Sequence, residues 1–180
     1  MKIGLLRHFP VNYKYSFATD ALGFENELAN YDKASIKPFQ PKKVLSSWDI
    51  CYASTLRRAQ ETARYLYKGK IITTDLLREV PLKAVFKKRV LLPLVFWFLL
   101  ARCAWFINNH TQTEPRFLTI KRAEQFLFNY CLCQPSQKRI LVVSHGFFML
   151  NLQRLLRNYG FKGKSFSYVH HARLYVFTKE

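Results

Sequence analysis

The sequence is poor in acidic residues, glycine, proline and cysteine. Its 180 residues include 11 Asp and Glu against 29 Lys and Arg, with six Gly and seven Pro. The low Gly and Pro content, together with 49% hydrophobic residues, excludes a disordered chain and predicts a globular one. The length suffices for one domain with its own core, so we expect a single domain over residues 1–180.

The four cysteines lack the paired spacing of a zinc site. Cys131 and Cys133 are too close together for the usual ligand pattern, and Cys51 and Cys103 stand apart in apolar surroundings. We therefore expect reduced, buried thiols in a cytoplasmic protein, and no bound metal. The N-terminus reaches Arg7 after too short an apolar run for a signal peptide, and it is expected to form a buried first strand.

Long apolar runs are also scarce, and residues 90–107 come nearest to a membrane span. This run meets Arg102 after twelve residues, whereas a spanning helix needs about 20. We expect a helix that is buried in the fold or lines the site, with a membrane-surface or partner-binding element as the alternative. Basic residues precede the run and keep that alternative open, namely Lys83, Lys87, Lys88 and Arg89.

Positive charge is what the chain has in excess. A formal net charge of +18 predicts attraction to something anionic, such as a phosphorylated small molecule, nucleic acid or an acidic membrane surface. The charge alone does not choose among these partners.

Short apolar strands alternate with amphipathic helices along the chain. Strands are predicted at residues 2–6, 48–54, 70–74, 139–144 and 168–178, and helices at 20–31, 54–66, 120–131 and 148–159. The rest of residues 9–43 is predicted to be loop. This alternation predicts an α/β fold, a three-layer sandwich with a mostly parallel central sheet and helices on both faces.

Residues suited to phosphate chemistry follow these elements. Arg7 and His8 end the first strand, Ser54 stands where an N-cap would stand with Arg58 in the first turn of the helix, and His145 ends the strand 139–144. Glu79 lies on a loop that Pro81 keeps from being helical. Ligand sites of open α/β sheets lie at the carboxyl ends of the strands, so these side chains are expected to converge.

Each of these residues also has a structural interpretation when taken alone. Arg58 could be a solvated helix arginine, Glu79 an exposed loop acid paired with a neighbouring base, and His145 a core histidine at a strand end. His170 and His171 could suggest a metal, but adjacent residues of a strand point to opposite faces, and we interpret them as structural.

In combination the segments resemble the histidine phosphatase superfamily, in the small branch that includes cofactor-dependent phosphoglycerate mutases and their phosphatase relatives. Arg7-His8 is similar to its Arg-His-Gly box, and residues 54–63 to its Ser-x-Leu-x-Arg-Ala-x-x-Thr-Ala box, with Arg58 at the catalytic arginine. Glu79 stands in the segment that holds the family's acid, and Ser144-His145-Gly146 matches its second histidine box. The resemblance extends to about residue 157 and implies a small helical lid at about residues 80–120.

The resemblance implies a metal-independent phosphomonoester phosphatase that needs no cofactor. His8 would form a phosphohistidine, Arg7, Arg58 and His145 would bind the phosphate, and Glu79 would act as general acid and base. The expected substrate is a phosphorylated small molecule or a phosphoprotein, and nucleic acid is not expected as a partner. The basic surface and residues 90–107 leave contact with a membrane or an acidic partner open.

Two other functions remain open. A phosphoglycerate mutase-like phosphotransferase would need a pocket that retains a bisphosphorylated cofactor. A non-catalytic basic module would use the same pocket to bind phosphorylated protein, lipid or nucleic acid, which the charge favours.

The chain departs from the family pattern beside the nucleophile. Phe9 replaces the family glycine, so an aromatic ring that could narrow the pocket is expected next to His8. Pro10 stiffens the following loop. The acid and the threonine that usually follow this box in the family are missing. Asn12 is a weak candidate to replace them as a hydrogen-bond donor to the phosphate.

Overall fold

The computed structural model describes residues 1–37, 47–136 and 138–180, and its centre is a six-stranded sheet. The strands of this sheet are β1 (Lys2–Arg7), β3 (Ile50–Ser54), β4 (Ile71–Thr74), β6 (Arg139–Ser144), β7 (Lys162–Gly163) and β8 (Leu174–Thr178). A separate ribbon pairs β2 (Ala18–Thr19) with β5 (Leu92–Pro93). The part of the predicted loop 9–43 from residue 38 onward lies outside the described residues.

The sheet is parallel where the candidate site residues lie. The strand order is β4-β3-β6-β1-β8-β7, with β1, β3, β4 and β6 parallel and the two outer strands β8 and β7 antiparallel to their neighbours. Carboxyl ends of parallel strands meet at one edge, which brings Arg7, Ser54 and Ser144 together. The register pairs Arg7 of β1 with Ser144 of β6 directly.

In the described residues, five α-helices flank the sheet and its lid, and they confirm the predicted α/β class. They are α1 (Ala21–Lys33), α2 (Arg57–Leu66), α3 (Leu94–Phe106), α4 (Arg116–Phe126) and α5 (Gly146–Asn158). Helices α4 and α5 pack on one face of the sheet and α2 on the other, each around its own buried apolar cluster. Burial of apolar surface on both faces is what stabilises such a layered arrangement.

Local sequence signals account for the ends of these helices. Asp20 caps α1, since its side chain accepts a hydrogen bond from the backbone nitrogen of Gly23 at 2.9 Å. After α5 the chain reaches Gly160, whose φ of 83° is a conformation that glycine adopts without strain.

Several predicted boundaries are wrong by a few residues, and two of them lie next to the candidate site residues. Helix α2 has Leu56 as its N-cap rather than Ser54. The last strand begins at Leu174, so residues 168–173 form a turn and not the start of the predicted strand. Tertiary contacts are the reason in both places. Ser54 bonds to His145 instead of capping the helix, and residues 169 and 171 bond to Arg7 and His8 instead of to a neighbouring strand.

The chain between β4 and α4 forms a lid at the carboxyl ends of the parallel strands. Its helix α3 packs against α1 around Phe24 and Trp97, whose rings stack with centroids 5.8 Å apart. Trp97 Nε1 donates a hydrogen bond to the backbone oxygen of Thr19 at 2.9 Å. Only one side of α3 is buried in this way. Among the residues that the structure describes, no helix is long and apolar enough to cross a membrane.

Candidate active site

His8 lies at the carboxyl end of β1, buried between two strands. Its side chain is 2% exposed. Its backbone nitrogen donates to the backbone oxygen of Ser144 at 3.1 Å, which extends the pairing of β1 with β6 by one residue. The ring is therefore held by the sheet rather than by a mobile loop.

Hydrogen bonds determine which nitrogen of His8 carries the proton. Nδ1 lies 2.6 Å from the backbone oxygen of Phe9, which can only accept, so Nδ1 is protonated. On the other side, Nε of Arg58 lies 3.2 Å from Nε2 of His8, and a guanidinium nitrogen can only donate. Nε2 is therefore unprotonated and carries a lone pair. Imidazole with a free lone pair on nitrogen can act as a nucleophile.

Arg58 reaches this position from the first turn of α2. Its side chain is 2% exposed, and besides His8 it binds Asp32, with Nη1 and Oδ1 2.6 Å apart. Its guanidinium also lies over the ring of Tyr31, 4.9 Å from the centroid. These contacts exclude the interpretation of Arg58 as a solvated helix arginine.

Arg7 points towards the N-terminal end of α5. Its Nη1 donates to the backbone oxygen of Val169 at 2.7 Å. Gly146, the first residue of α5, packs so closely that a Cβ there would meet the guanidinium carbon of Arg7 at 3.2 Å. Glycine at this position therefore leaves room for the arginine.

His145 ends β6 and is fully buried beside His8, with the ring centroids 5.1 Å apart. Its Nε2 lies 2.8 Å from the Ser54 hydroxyl. Ser54 Oγ also accepts a hydrogen bond from the backbone nitrogen of Leu56. These two bonds engage the hydroxyl that the sequence predicts as the cap of α2. When the hydroxyl donates to Nε2, the ring hydrogen is on Nδ1, for which the described part of the chain offers no partner.

The surroundings of both histidines keep them neutral. Burial, followed by the positive charge of Arg58, lowers the pKa of His8 well below its usual 6.5. Burial also lowers the pKa of His145 well below 6.5, with His8 and Arg58 as the next causes. Both rings are thus uncharged at neutral pH, and His8 keeps its lone pair.

We expect the protein to lose stability as the pH falls below about 6.5. There the two histidines take up protons in the unfolded chain but stay neutral in the folded protein, so protonation favours the unfolded state. Each contributes up to about 1.4 kcal/mol per pH unit to the loss, until its own folded pKa is reached. Urea unfolding of wild type and His145→Asn, from about pH 8 to about pH 5, measures the slope.

The variant should lose stability less steeply with acid than wild type, whatever its stability at neutral pH. His170→Asn is the matched control, because it removes an exposed imidazole in place of a buried one. An identical slope in His145→Asn and wild type would contradict the expectation.

Glu79 contacts the helix that follows His145. Its Oε1 accepts from the backbone nitrogen of Phe148 at 2.9 Å and its Oε2 from that of Phe147 at 3.1 Å. A carboxylate in this position satisfies free N–H groups and interacts favourably with the helix dipole. Arg78 pairs with Asp75 instead, so Glu79 is not the surface partner of its neighbour.

These side chains line a cavity of about 820 Å³. Arg7, His8, Arg58 and Glu79 lie on its wall, and His145 is buried behind His8. Apolar side chains complete the lining, including Tyr15 of the loop before α1, Leu28 of α1 and Phe98 of α3. In the described residues, no group of three or more His, Cys, Asp or Glu is placed to hold a metal ion.

Two residues beside the nucleophile lie away from this cavity. Asn12 is exposed and does not line the cavity. The structure therefore does not bring it to the other residues that are predicted to donate hydrogen bonds to the phosphate. Phe9 is 1% exposed and packs in the core with α2, where its backbone nitrogen donates to Thr62 Oγ1 at 2.9 Å. Its ring therefore does not narrow the cavity.

The structure adds residues that the motifs did not indicate. His171 lies on the cavity wall with its ring 5.0 Å from that of His8, and its Nδ1 donates to the backbone oxygen of His8 at 2.8 Å. The sequence pattern predicts a strand over residues 168–178 and thus a structural role for His171, but the strand begins only at Leu174. Asp32, the partner of Arg58, carried no sequence signal.

Arg102 is a further addition, and a signal for it was present in the sequence. It is the single charge in the apolar run, and it projects from α3 to the cavity wall, where it lies 3.7 Å from the ring centroid of Phe147. Burial lowers its pKa. Its Nη1 is buried without a hydrogen-bond partner among the residues described.

Sequence comparison places the chain in a family. It matches the family model of the histidine phosphatase superfamily (branch 1) over residues 41–178. That match begins after Arg7 and His8, whose place in the site rests on the geometry above. No curated protein matches the sequence significantly.

Solved structures with a similar fold span almost the whole chain. Mycobacterial hydrolase 1 is 17% identical with a TM-score of 0.61, covering 97% of this chain and 90% of its own. Phosphoserine phosphatase from Entamoeba histolytica, in complex with 3-phosphoglyceric acid, is 18% identical with a TM-score of 0.56, covering 97% and 89%. A protein of Escherichia coli, suggested to be an α-ribazole-5′-phosphate phosphatase, is 21% identical with a TM-score of 0.56, covering 98% and 89%.

At these identities the structural likeness supports the fold, and the family rests on the sequence match, which extends over most of the chain. The chain belongs to the histidine phosphatase superfamily, branch 1.

Proposed function

We propose that the chain is a metal-independent phosphomonoester phosphatase that works through a phosphohistidine on His8. The observation that carries the proposal is the tautomer of His8, whose Nε2 lone pair lies 3.2 Å from Nε of Arg58 at the cavity. A phosphoryl group bound by this arginine lies beside the nitrogen that attacks it, which removes most of the entropic cost of the encounter.

Arg7, Arg58 and His145 supply the donors for the phosphate. Phosphoryl transfer spreads negative charge over three equatorial oxygens, so fixed N–H donors stabilise the transition state. Nε of Arg7 and Nδ1 of His145 are buried atoms without a partner among the described residues. An anion in the cavity that also reached His145 behind His8 would satisfy both atoms, as buried polar atoms require. Asn12 has no part in this proposal.

The reaction proceeds in two steps. Nε2 of His8 forms a bond to phosphorus while the bond to the leaving oxygen breaks. Glu79 enters this step as the protonated acid, gives its proton to the leaving oxygen and becomes the carboxylate. Water then attacks the phosphohistidine and gives a proton back to Glu79, which releases inorganic phosphate and returns His8 to its neutral form. The substrate is a phosphorylated small molecule or a phosphoprotein, and the apolar lining with Tyr15, Leu28 and Phe98 favours an apolar leaving group.

The test is hydrolysis of p-nitrophenyl phosphate in EDTA combined with trapping of the intermediate. Wild type is mixed with labelled substrate and quenched in alkali, because phosphohistidine survives base but not acid. We expect full activity in EDTA and label on the peptide that contains His8. Label on another residue, or activity that EDTA abolishes, would contradict the proposal.

Glu79 has two roles in this scheme, and Glu79→Gln separates them. The amide oxygen can still accept a hydrogen bond at the start of α5, but the amide cannot deliver a proton. We expect kcat on an alkyl phosphate to fall about a hundredfold or more. On p-nitrophenyl phosphate, whose leaving group departs as a stable anion, the loss should be below about tenfold. Equal losses on both substrates would assign Glu79 to the helix cap alone.

A non-catalytic phosphate-binding module is the second candidate, and the net charge of +18 favours it. Such a module would bind mixed-sequence nucleic acid with a steep loss of affinity in salt and would hydrolyse nothing. A mutase-like phosphotransferase would pass the phosphoryl group to an organic acceptor. Release of inorganic phosphate in the absence of any acceptor therefore distinguishes the phosphatase from both.

A further inference from the structure

One side of the lid helix α3 is apolar and faces solvent. Its side chains recur at helical spacing, and we call them the outer face of α3, which consists of Val95, Phe96, Leu99, Leu100, Phe106 and the cap residue Ile107. Val95, Leu99 and Ile107 are 67%, 57% and 74% exposed. Single exposed apolar residues are ordinary on protein surfaces, but a contiguous stripe of them marks an interaction surface.

Neighbouring loops lengthen the outer face at both ends. At the start of α3, the backbone nitrogen of Leu94 donates to the backbone oxygen of Phe17 at 2.9 Å, and the ring of Phe17 is 86% exposed. At the other end, the backbone nitrogen of Phe117 donates to the side-chain oxygen of Asn108 at 3.4 Å, and Phe117 is 59% exposed. The apolar surface thus continues beyond the helix on both sides.

The chain segment that carries this surface has charge of one sign. No Asp or Glu occurs between Glu79 and Glu114. The chain entering the helix carries Lys87, Lys88 and Arg89, all exposed. An apolar stripe beside basic residues is the composition of helices that lie in the interface of anionic membranes.

The dimensions and charge of the surface indicate how it is covered. Helix α3 has 13 residues, or about 20 Å, which is too short for a hydrocarbon core of about 30 Å. The helix would therefore lie along a membrane rather than cross it. A second copy is disfavoured, because a symmetric dimer would bring the basic segment of residues 87–89 against the same surface in its partner.

We propose that the outer face of α3 docks on the surface of an anionic membrane, with Lys87, Lys88 and Arg89 contacting lipid phosphates. The cavity side of the same helix carries Phe98 and Arg102. Docking would thus hold the lid at the membrane while the site opens on the other side of the helix. The proposal does not depend on the chemistry proposed for His8.

The experiment is co-sedimentation of the full chain with phosphatidylcholine vesicles, with and without phosphatidylglycerol. We expect binding to the anionic vesicles that weakens with added salt, and little binding to phosphatidylcholine alone. Phe96→Ser with Leu99→Ser should lower the partition coefficient at least about tenfold. Phe128→Ser is the matched control for the apolar change, since Phe128 is 59% exposed and its ring lies against Tyr159 after α5.

The charges have a matched control as well. Lys87→Glu with Lys88→Glu should lower the partition coefficient about tenfold or more, whereas Lys68→Glu with Lys70→Glu, on the exposed approach to β4, should leave it within about twofold. All four variants should keep wild-type hydrolysis of soluble p-nitrophenyl phosphate, which shows that they are folded. His8→Ala should bind vesicles like wild type.

Three outcomes would overturn the proposal. One is no binding to anionic vesicles. Another is an equal loss of vesicle binding in the two test variants and in their controls, which would attribute the binding to the overall positive charge of the protein. The third is a dimer in sedimentation velocity that Phe96→Ser with Leu99→Ser dissociates, without vesicle binding, which would assign the outer face to a second copy.

Discussion

Replacement of His8 by alanine is expected to lower kcat on p-nitrophenyl phosphate by at least about ten-thousandfold, because it removes the nucleophile that accepts the phosphoryl group. This corresponds to a barrier higher by about 5.4 kcal/mol. His8 is held at the end of β1 by its bonds to Ser144, Phe9 and Arg58, which fix the position of the attacking nitrogen. Steady-state kinetics in EDTA measure the loss.

His170→Ala is the control for this variant. His170 is exposed, and its ring lies against Tyr168 rather than on the cavity wall. We expect its activity to stay within about twofold of wild type, as is usual for surface substitutions. Loss of the alkali-stable phosphoenzyme in His8→Ala should accompany the loss of turnover. Substantial remaining hydrolysis with the phosphoenzyme intact would show that the nucleophile is a different residue.

The two adjacent arginines at the start of α2 offer the sharpest matched pair in the chain. Arg58 is buried against His8, whereas Arg57 is exposed and pairs with Glu61 one turn later. We expect Arg58→Ala to lower kcat/KM about a thousandfold, since it removes a preorganised donor to the transferring phosphoryl group. Arg57→Ala should change kcat/KM by less than about twofold, because exposed ion pairs contribute little.

A second measurement distinguishes catalysis from simple loss of binding. The positive charge of Arg58 is one of the causes that lower the pKa of His8. Without it that pKa should rise, so the acidic limb of the pH profile of kcat/KM should move to higher pH in Arg58→Ala and stay in place in Arg57→Ala. Equal profiles in both variants, or equal losses of activity, would remove Arg58 from the proposed mechanism.

Local patterns predicted the elements that depend on local interactions. Apolar periodicity and caps indicated five of the six strands of the described sheet and the helices α1, α2, α4 and α5, and the apolar run 90–107 indicated α3, with errors at their ends. The two-residue strand β7 had no such signal. Asp20 and Gly160 acted as a cap and a helix end because both signals work through neighbouring backbone groups. The positions of Arg7 and His145 at strand ends were predictable for the same reason, because a strand end is also set by neighbouring residues.

Residues whose role depends on a distant partner were misjudged. Ser54 has the sequence position of an N-cap, but its hydroxyl lies 2.8 Å from Nε2 of His145, 91 positions away. His171 was assigned to a strand, yet its Nδ1 donates to the backbone oxygen of His8 across the chain. A hydrogen bond between remote segments leaves no periodicity in either of them, so the sequence could not indicate it.

By itself the sequence determined the α/β class, the positive charge and the positions of Arg7, His8, Arg58 and His145 at strand and helix ends, since these depend on composition and on interactions between near neighbours. Only the tertiary structure decided which nitrogen of His8 is unprotonated, that Glu79 reaches the start of α5, and which side of α3 remains exposed. The reason is that protonation, capping and burial depend on the atoms that docking of distant elements brings within hydrogen-bond distance.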